Sequence, residues 1–408
     1  MSAPASRRTF LKTAAGSVLA GGMVPALLQA QSPSDETPRQ PGRKADSPSQ
    51  EHAHGAIKDP APVLIGEGEF QYECHHNWGQ VPEQITWKNT HGVTIDKQGF
   101  IYITHQGDQA KPCDTVVVFD PAGQFVRSFG KEYAGGGHGI DIREENGTEY
   151  LYLSVNAPHR LIVKCDTTGK VIWKRSAPKE AGVYDAQHAF NPTNVCFGPN
   201  NAVFVGDGYG SHYLHEYDKE GNWIRLIGEP GSRPGQLKTP HAQWLDTRGG
   251  ATPQLVVADR SNNRLQMFSL PGSSQKILQG GNAAKKTPAG TITQQESISG
   301  QAVPVTSVPG LLLPAGVDIQ GDLMLVADLG ARVLIFQGID NQLVANLGYD
   351  EAWTAQVMEG KPFKMRTRPE TWQAGKFIHP HDACFDRAGN IFVTEWVDQG
   401  RVTFLKKV

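Results

Sequence analysis

One pattern returns six times between residue 91 and the C-terminus, and it constrains the fold more than any other feature of the chain. It reads small residue or His, Gly or Ala, aliphatic, polar, aliphatic, then Asp-x-x-Gly, an aliphatic strand, and a further strand ending in Phe-Asp or Tyr-Asp. The clearest copy is HGVTIDKQGFIYITH followed by TVVVFDPAGQFVRSFG, and copies start at His91, His138, Thr193, His241, Ala315 and His381. Alternating apolar and polar residues make half-buried strands, and Asp, Asn and Gly between them make tight turns. Strand-and-turn units at a period of roughly 40 to 75 residues are the blades of a β-propeller, because one unit cannot bury its apolar face alone. Six copies predict an all-β fold, a six-bladed β-propeller. The last copy ends at Val402-Thr403-Phe404-Leu405, its third strand. The segment Val63 to Trp78 resembles the fourth strands at Phe125–Gly130 and Trp223–Gly228, so it is expected to complete the last blade and cover its open edge.

The start of the chain has a different character. Ser6-Arg7-Arg8-Thr9-Phe10-Leu11-Lys12 precedes an apolar stretch from Thr13 to Leu28, with small residues through Ala30. A twin-arginine export signal over residues 1–30 is expected, too short and too rich in Gly and Ala for a membrane span. Residues 31–58, rich in Ser, Pro, Gln and charge, are expected to be a disordered linker, which leaves residues 59–408 for the propeller. Export implies a periplasmic or secreted protein. With 39 basic and 41 acidic residues the chain has no electrostatic footprint for nucleic acid. A monomer acting on a small molecule or peptide in the central channel is expected.

Two stretches exceed the blade pattern. Residues 271–313 are rich in Gly, Ser, Thr and Gln and read as a long surface excursion, and residues 349–379 carry the aromatic and basic residues of a lid. The five cysteines show no CxxC spacing. Cys74 with Cys113 is the one pair worth testing as a disulfide, given an oxidising destination.

In a propeller the first strand of each blade lines the channel, so equivalent positions form a ring. Numbered from His91, His138, His241 and His381 open blades two, four and six, about 120° apart around the axis. Three imidazoles presented trigonally with a fourth side open are a catalytic zinc arrangement. Thr193 and Ala315 cannot replace imidazole. His91, in blade one, is a fourth candidate as ligand, partner of a ligand or general base, and His105 and His379 are further candidates near the channel.

At these residues the chain resembles the NHL-repeat propellers, specifically peptidyl-α-hydroxyglycine α-amidating lyase, over about residues 85–408. The motifs that carry the resemblance are DGYG, RPGQ-x-x-x-PH, VADR-x-N-x-R-x-Q-x-F and the late PHD, in the family's order. It implies a zinc held by His138, His241 and His381, the three already reached from the repeat. It also implies proton transfer by Tyr209 of the DGY motif, and a further active-site arginine at Arg260. A structural calcium is implied too, on Asp382 and the carbonyls of Val93 and Ile140. One departure concerns the substrate side: the family's His-Arg-Gly-Asp, with a catalytic arginine, is here His105-Gln106-Gly107-Asp108. Gln106 can hydrogen-bond a carbonyl but carries no cation. The leading expectation is therefore an exported zinc-dependent C–N lyase with an altered substrate. A non-catalytic propeller with structural metals, and a different metal-dependent hydrolase or oxidase using His91, are the alternatives.

Overall fold

A computed structural model describes residues 61–250, 253–270 and 303–408. The expected export signal and linker lie outside the described residues. Six antiparallel sheets are built in chain order, four strands each in the first five blades. Their innermost strands are Thr90–Ile95, Gly137–Glu145, Val195–Phe197, Pro240–Asp246, Pro314–Gln320 and Pro380–Phe385. Each packs against the next around the ring, and the last against the first. The sixth sheet is completed as expected: Tyr72–His75 pairs with Arg401–Lys407, Tyr72 opposite Lys407, and Val63–Ile65 adds a fifth strand outside it.

The turns explain why so short a motif repeats. Asp120 Oδ1 accepts the N–H groups of Ala122 and Gln124 at 2.9 and 2.8 Å, and Asp96, Asp166 and Asp386 do the same in their own copies. Gly99, Gly123, Gly169, Gly221 and Gly389 follow with φ between 79° and 91°, a conformation costly for any residue with a Cβ. Aspartate and glycine together close these hairpins through local contacts.

The apolar core is divided into clusters wedged between adjacent blades. One joins Ala242, Val256 and Met267 of blade four to Val317, Val326 and Leu334 of blade five, and another joins Ile103 and Val117 of blade one to Phe392 and Val402 of blade six. The axis itself is lined by polar side chains.

Three expectations need correction. Residues 303–308 are not part of a surface excursion: Val303–Val308 is the outer strand of blade four, paired with Arg264–Ser269, while residues 271–302 lie outside the described residues. The stretch 349–379, expected to carry a lid, is a packed cap. Its helix Glu351–Val357 starts at Asp350, which accepts Trp353 N at 2.8 Å, and Trp353, Val357, Met365 and Ile378 share a buried cluster with Ala331 and Val397. Cys74 and Cys113 are both free thiols and belong to different clusters. Among the described residues no helix is long and apolar enough to cross a membrane.

Candidate metal centre

Four of the six copies start on histidine, and the strand itself aims these side chains. The pairing register shifts between Thr90 and Val93, Gly137 and Ile140, Pro240 and Gln243, and Pro380 and Asp382. A bulge of this kind redirects the residue within it. The four imidazoles converge and are buried, 1% to 4% exposed. Ring centroids lie 5.2 Å apart for His138 and His241, 4.9 Å for His138 and His381, and 4.5 Å for His241 and His381. His91 stands 4.3 Å from His138 and 4.5 Å from His381.

Hydrogen bonds assign the protons. His138 Nδ1 lies 2.5 Å from Thr193 O, His241 Nδ1 2.7 Å from Ala315 O, and His381 Nδ1 2.9 Å from His91 O. A carbonyl only accepts, so each Nδ1 carries the proton and each Nε2 keeps its lone pair. In every case the carbonyl belongs to the first strand of the following blade or to the residues leading into it, so ring closure itself orients the imidazoles. A backbone acceptor behind Nδ1 is the usual support of a metal-ligating histidine. Burial pushes His138 down to about 3, and holds His91, His241 and His381 well below the usual range, the neighbouring imidazoles and Arg260 or Arg366 adding to it. All four are neutral at pH 7, as ligation requires.

Two donors face these three lone pairs, and the single O–H of Tyr209 serves only one of its two neighbours at a time. Tyr209 Oη lies 3.2 Å from His138 Nε2 and 3.0 Å from His241 Nε2. His91 Nδ1 lies 3.2 Å from His381 Nε2, and because that nitrogen accepts, His91 donates. The group whose candidate ligand atoms all lie within 4.8 Å of one another is thus His91, His138 and His381, rather than the expected trio with His241. The reason is local: Tyr209 claims His241, while His91 leans on His381.

Tyr209 arrives on the DGYG loop. Asp207 accepts Ser211 N and Asn191 N at 2.8 and 2.6 Å, and a Cβ at Gly208 would stand 2.3 Å from Pro240 O, so only glycine lets the loop pass so close. Arg260 Nη1 donates to Tyr209 Oη at 3.1 Å, and its guanidinium lies 5.0 Å from the phenol ring centre. The neighbouring Asp259 instead pairs with Arg264 at 2.8 Å, so half of the VADR-x-N-x-R motif holds the blade together. Gln106 faces Asn89, which donates to Gln106 Oε1 at 2.7 Å and accepts from Arg366 Nη2 at 2.7 Å.

Two candidates fall outside the cluster. His379 Nδ1 bonds Leu329 O at 2.8 Å beside Phe363, and its buried Nε2 has no partner among the described residues. His105 is structural: its Nε2 bonds Asp114 O at 2.7 Å, and its Nδ1 accepts from Lys88 N and Gly107 N. Burial pushes His105 down to about 4 from 6.5, so the folded chain resists protonation there while the unfolded chain does not. Its contribution is complete above pH 6.5 and is lost as pH falls toward 4. Between pH 7 and 5 the native protein should lose about 2 kcal/mol more stability than His105→Gln, whose side chain does not titrate. Denaturant unfolding at the two pH values measures this, and equal losses would refute it.

A second constellation lies farther along the same strands. Asp141, Asp318 and Asp382 line a cavity of about 20 Å³, with Val93 and Ile140 also in its wall, room for one ion or a water. Backbone N–H groups of Val93, Ile142, Ala383 and Phe385 bond the carboxylates, and no basic side chain pairs with them among the described residues. Burial pushes Asp141 up to about 8 and Asp318 to about 6, and Asp382 far above its usual value. A Cβ at Gly316 would stand 2.5 Å from Asp382 Oδ1, so the small residue makes room for this carboxylate. The resemblance pointed to Asp382 alone. Asp141 and Asp318 were legible as Asp three residues into two copies.

No family model matches the chain. It is 28% identical over 239 residues to peptidylglycine alpha-amidating monooxygenase of Rattus norvegicus, covering 50% of this chain and 23% of that protein. It is 24% identical over 204 residues to the probable peptidyl-alpha-hydroxyglycine alpha-amidating lyase of Caenorhabditis elegans, covering 47% of this chain and 56% of that one. Human NHL repeat-containing protein 3 is 25% identical over 204 residues, covering 48% and 56%. The chain therefore spans between about a quarter and just over half of the length of the curated relatives it matches. A virginiamycin B lyase from Staphylococcus aureus matches 83% of this chain and 100% of its own with a TM-score of 0.48 and 12% identity. The chain is a six-bladed β-propeller that resembles, over about half of its length, peptidyl-α-hydroxyglycine α-amidating lyase and the NHL repeat proteins.

Proposed function

We propose that the chain is a metal-dependent lyase that cleaves the C–N bond at a hydroxylated carbon, as in an α-hydroxyglycyl peptide. One observation carries this reading: the buried neutral imidazoles of His138, His241 and His381 stand with ring centres 4.5 to 5.2 Å apart, and a phenol lies within hydrogen-bond distance of two of their Nε2 atoms. That donor set fits a borderline cation such as Zn²⁺, with His138, His241 and His381 as ligands. A bound zinc would supply Lewis acidity toward the substrate hydroxyl.

The side chains do the rest. Tyr209 stands where it can exchange a proton with the reacting atoms, and Arg260 places positive charge beside the phenolic oxygen at the moment it would be negative. The hydroxyl loses its proton, the C–O bond becomes a carbonyl, and the C–N electrons pass to nitrogen, which takes up a proton. Amide and aldehyde leave. Purified protein should convert an α-hydroxyglycyl peptide to these two products and lose the activity on chelation. Bound metal without turnover would reject the lyase reading and favour the second, a different metal chemistry in which His91, part of the tightest cluster, is a fourth ligand.

The aspartate cavity suits a hard cation, since three carboxylates with no basic partner are costly to bury charged. We assign it a structural calcium held by Asp382 with Asp141 and Asp318, beside Val93 and Ile140. Calcium at a hundredfold excess over its Kd should add about 3 kcal/mol to stability, and Asp382→Asn should abolish that gain. Thermal unfolding with and without calcium checks it; an unchanged gain in Asp382→Asn would remove the assignment.

A further inference from the structure

The cap between blades five and six brings a charged group against Asn89, the residue before the innermost strand of blade one. Arg366, 9% exposed, belongs to the short helix Lys364–Thr367 of residues 349–379. Its guanidinium stacks on Trp396, 3.5 Å from the ring centre, and its Nε donates to Trp396 O at 3.0 Å. Nη2 donates to Asn89 Oδ1 at 2.7 Å and lies 3.0 Å from Asp398 Oδ1. Nη1 bonds no described residue. Trp396 in turn lies 5.9 Å from the His379 ring centre.

Arg260 approaches from blade four, across the ring. Tyr209 Oη is its hydrogen-bond partner, and it has no carboxylate partner among the described residues. Arg260 is thus tied to the imidazole cluster through Tyr209, and Arg366 to Asn89, two residues before His91. The carboxylate near them, Asp398, has its side chain half exposed, where solvent weakens the pair. Rigidly held guanidinium with spare N–H groups is suited to bind a planar anion. The aromatic faces of Trp396 and Phe363, 6.5 Å apart between ring centres, add an apolar wall beside it.

We propose that Arg366 and Arg260 form a clamp for a carboxylate on the substrate, with Arg366 as the residue that sets this preference. The clamp rests on the lyase reading for its place above the metal, but it can be tested without turnover. The cation comes from the cap rather than from position 106, and Asn89 links the two, holding Gln106 on one side and Arg366 on the other.

The test is calorimetric binding of N-benzoylglycine and N-benzoylglycinamide to the purified full-length protein. The native protein should bind the carboxylate about tenfold or more tightly than the amide, the range for hydrogen bonds to a charged group. Arg366→Gln should erase most of that preference, Arg366→Lys should keep part of it, and Arg387→Gln, at an exposed turn, should leave it intact. Thermal unfolding of each variant separates lost binding from lost folding, and the lysine variant keeps the test valid if glutamine unfolds the cap. No preference in the native protein, or an undiminished one in Arg366→Gln, overturns the clamp. A preference that depends on Arg366 without turnover of an α-hydroxyglycyl peptide upholds the clamp and rejects only the lyase reading. Turnover with an unchanged KM in Arg366→Gln does the reverse.

Discussion

His241→Ala is expected to weaken zinc binding by about 100-fold or more, the upper end of the loss seen when even a group supporting a ligand is removed. The imidazole is anchored by Ala315 O and turned so that its Nε2 lone pair meets Tyr209, so alanine removes a placed donor and not a mobile one. His215→Ala supplies the contrast. That histidine is equally buried, but its nitrogens serve Trp223 of blade three and Tyr184 in the connection before it, and its loss should reduce stability while leaving metal content intact. Metal analysis with competitive chelator titration reads both variants. Full zinc retention in His241→Ala would mean that His91, His138 and His381 are the ligands instead.

Tyr209→Phe is expected to lower turnover about 100-fold with zinc retained, because it removes a positioned proton carrier and leaves the imidazoles in place. The loss should appear in kcat, since the phenol lies 3.0 and 3.2 Å from two candidate ligand nitrogens and therefore next to the reacting atoms. Gln106→Arg is expected not to raise turnover. It would set a second guanidinium against Arg366 across Asn89, where a cation already stands. Activity unaffected by Tyr209→Phe would exclude the phenol from the chemistry.

The blades were legible in the sequence because their causes are local. A strand shows its period of two, and an Asp-x-x-Gly turn shows the residues that accept its N–H groups and take its positive φ. Equivalent repeat positions then place His138, His241 and His381 on one axis, and His91 with them. The outer strand of blade four was missed because it follows residues 271–302, which separate Val303–Val308 from its partner Arg264–Ser269 in sequence and hide the pairing. His105 read as a candidate because sequence shows that an imidazole is near the channel but not which way it faces. Lys88 N, Gly107 N and Asp114 O, which occupy its nitrogens, are neighbours only in the folded turn.

The sequence by itself determined the repeat, the ring it builds and the residue types brought to its axis. Tertiary structure alone decided which of them meet. His381 is oriented by His91 O across 290 residues, and Arg366 reaches Asn89 across 277. The three aspartates gather from blades two, five and six. None of these contacts leaves a mark on neighbouring residues, because each depends on closing the ring and folding the cap against it. Closure fixes distances across the axis to within a hydrogen bond, and no periodicity along the chain encodes those distances.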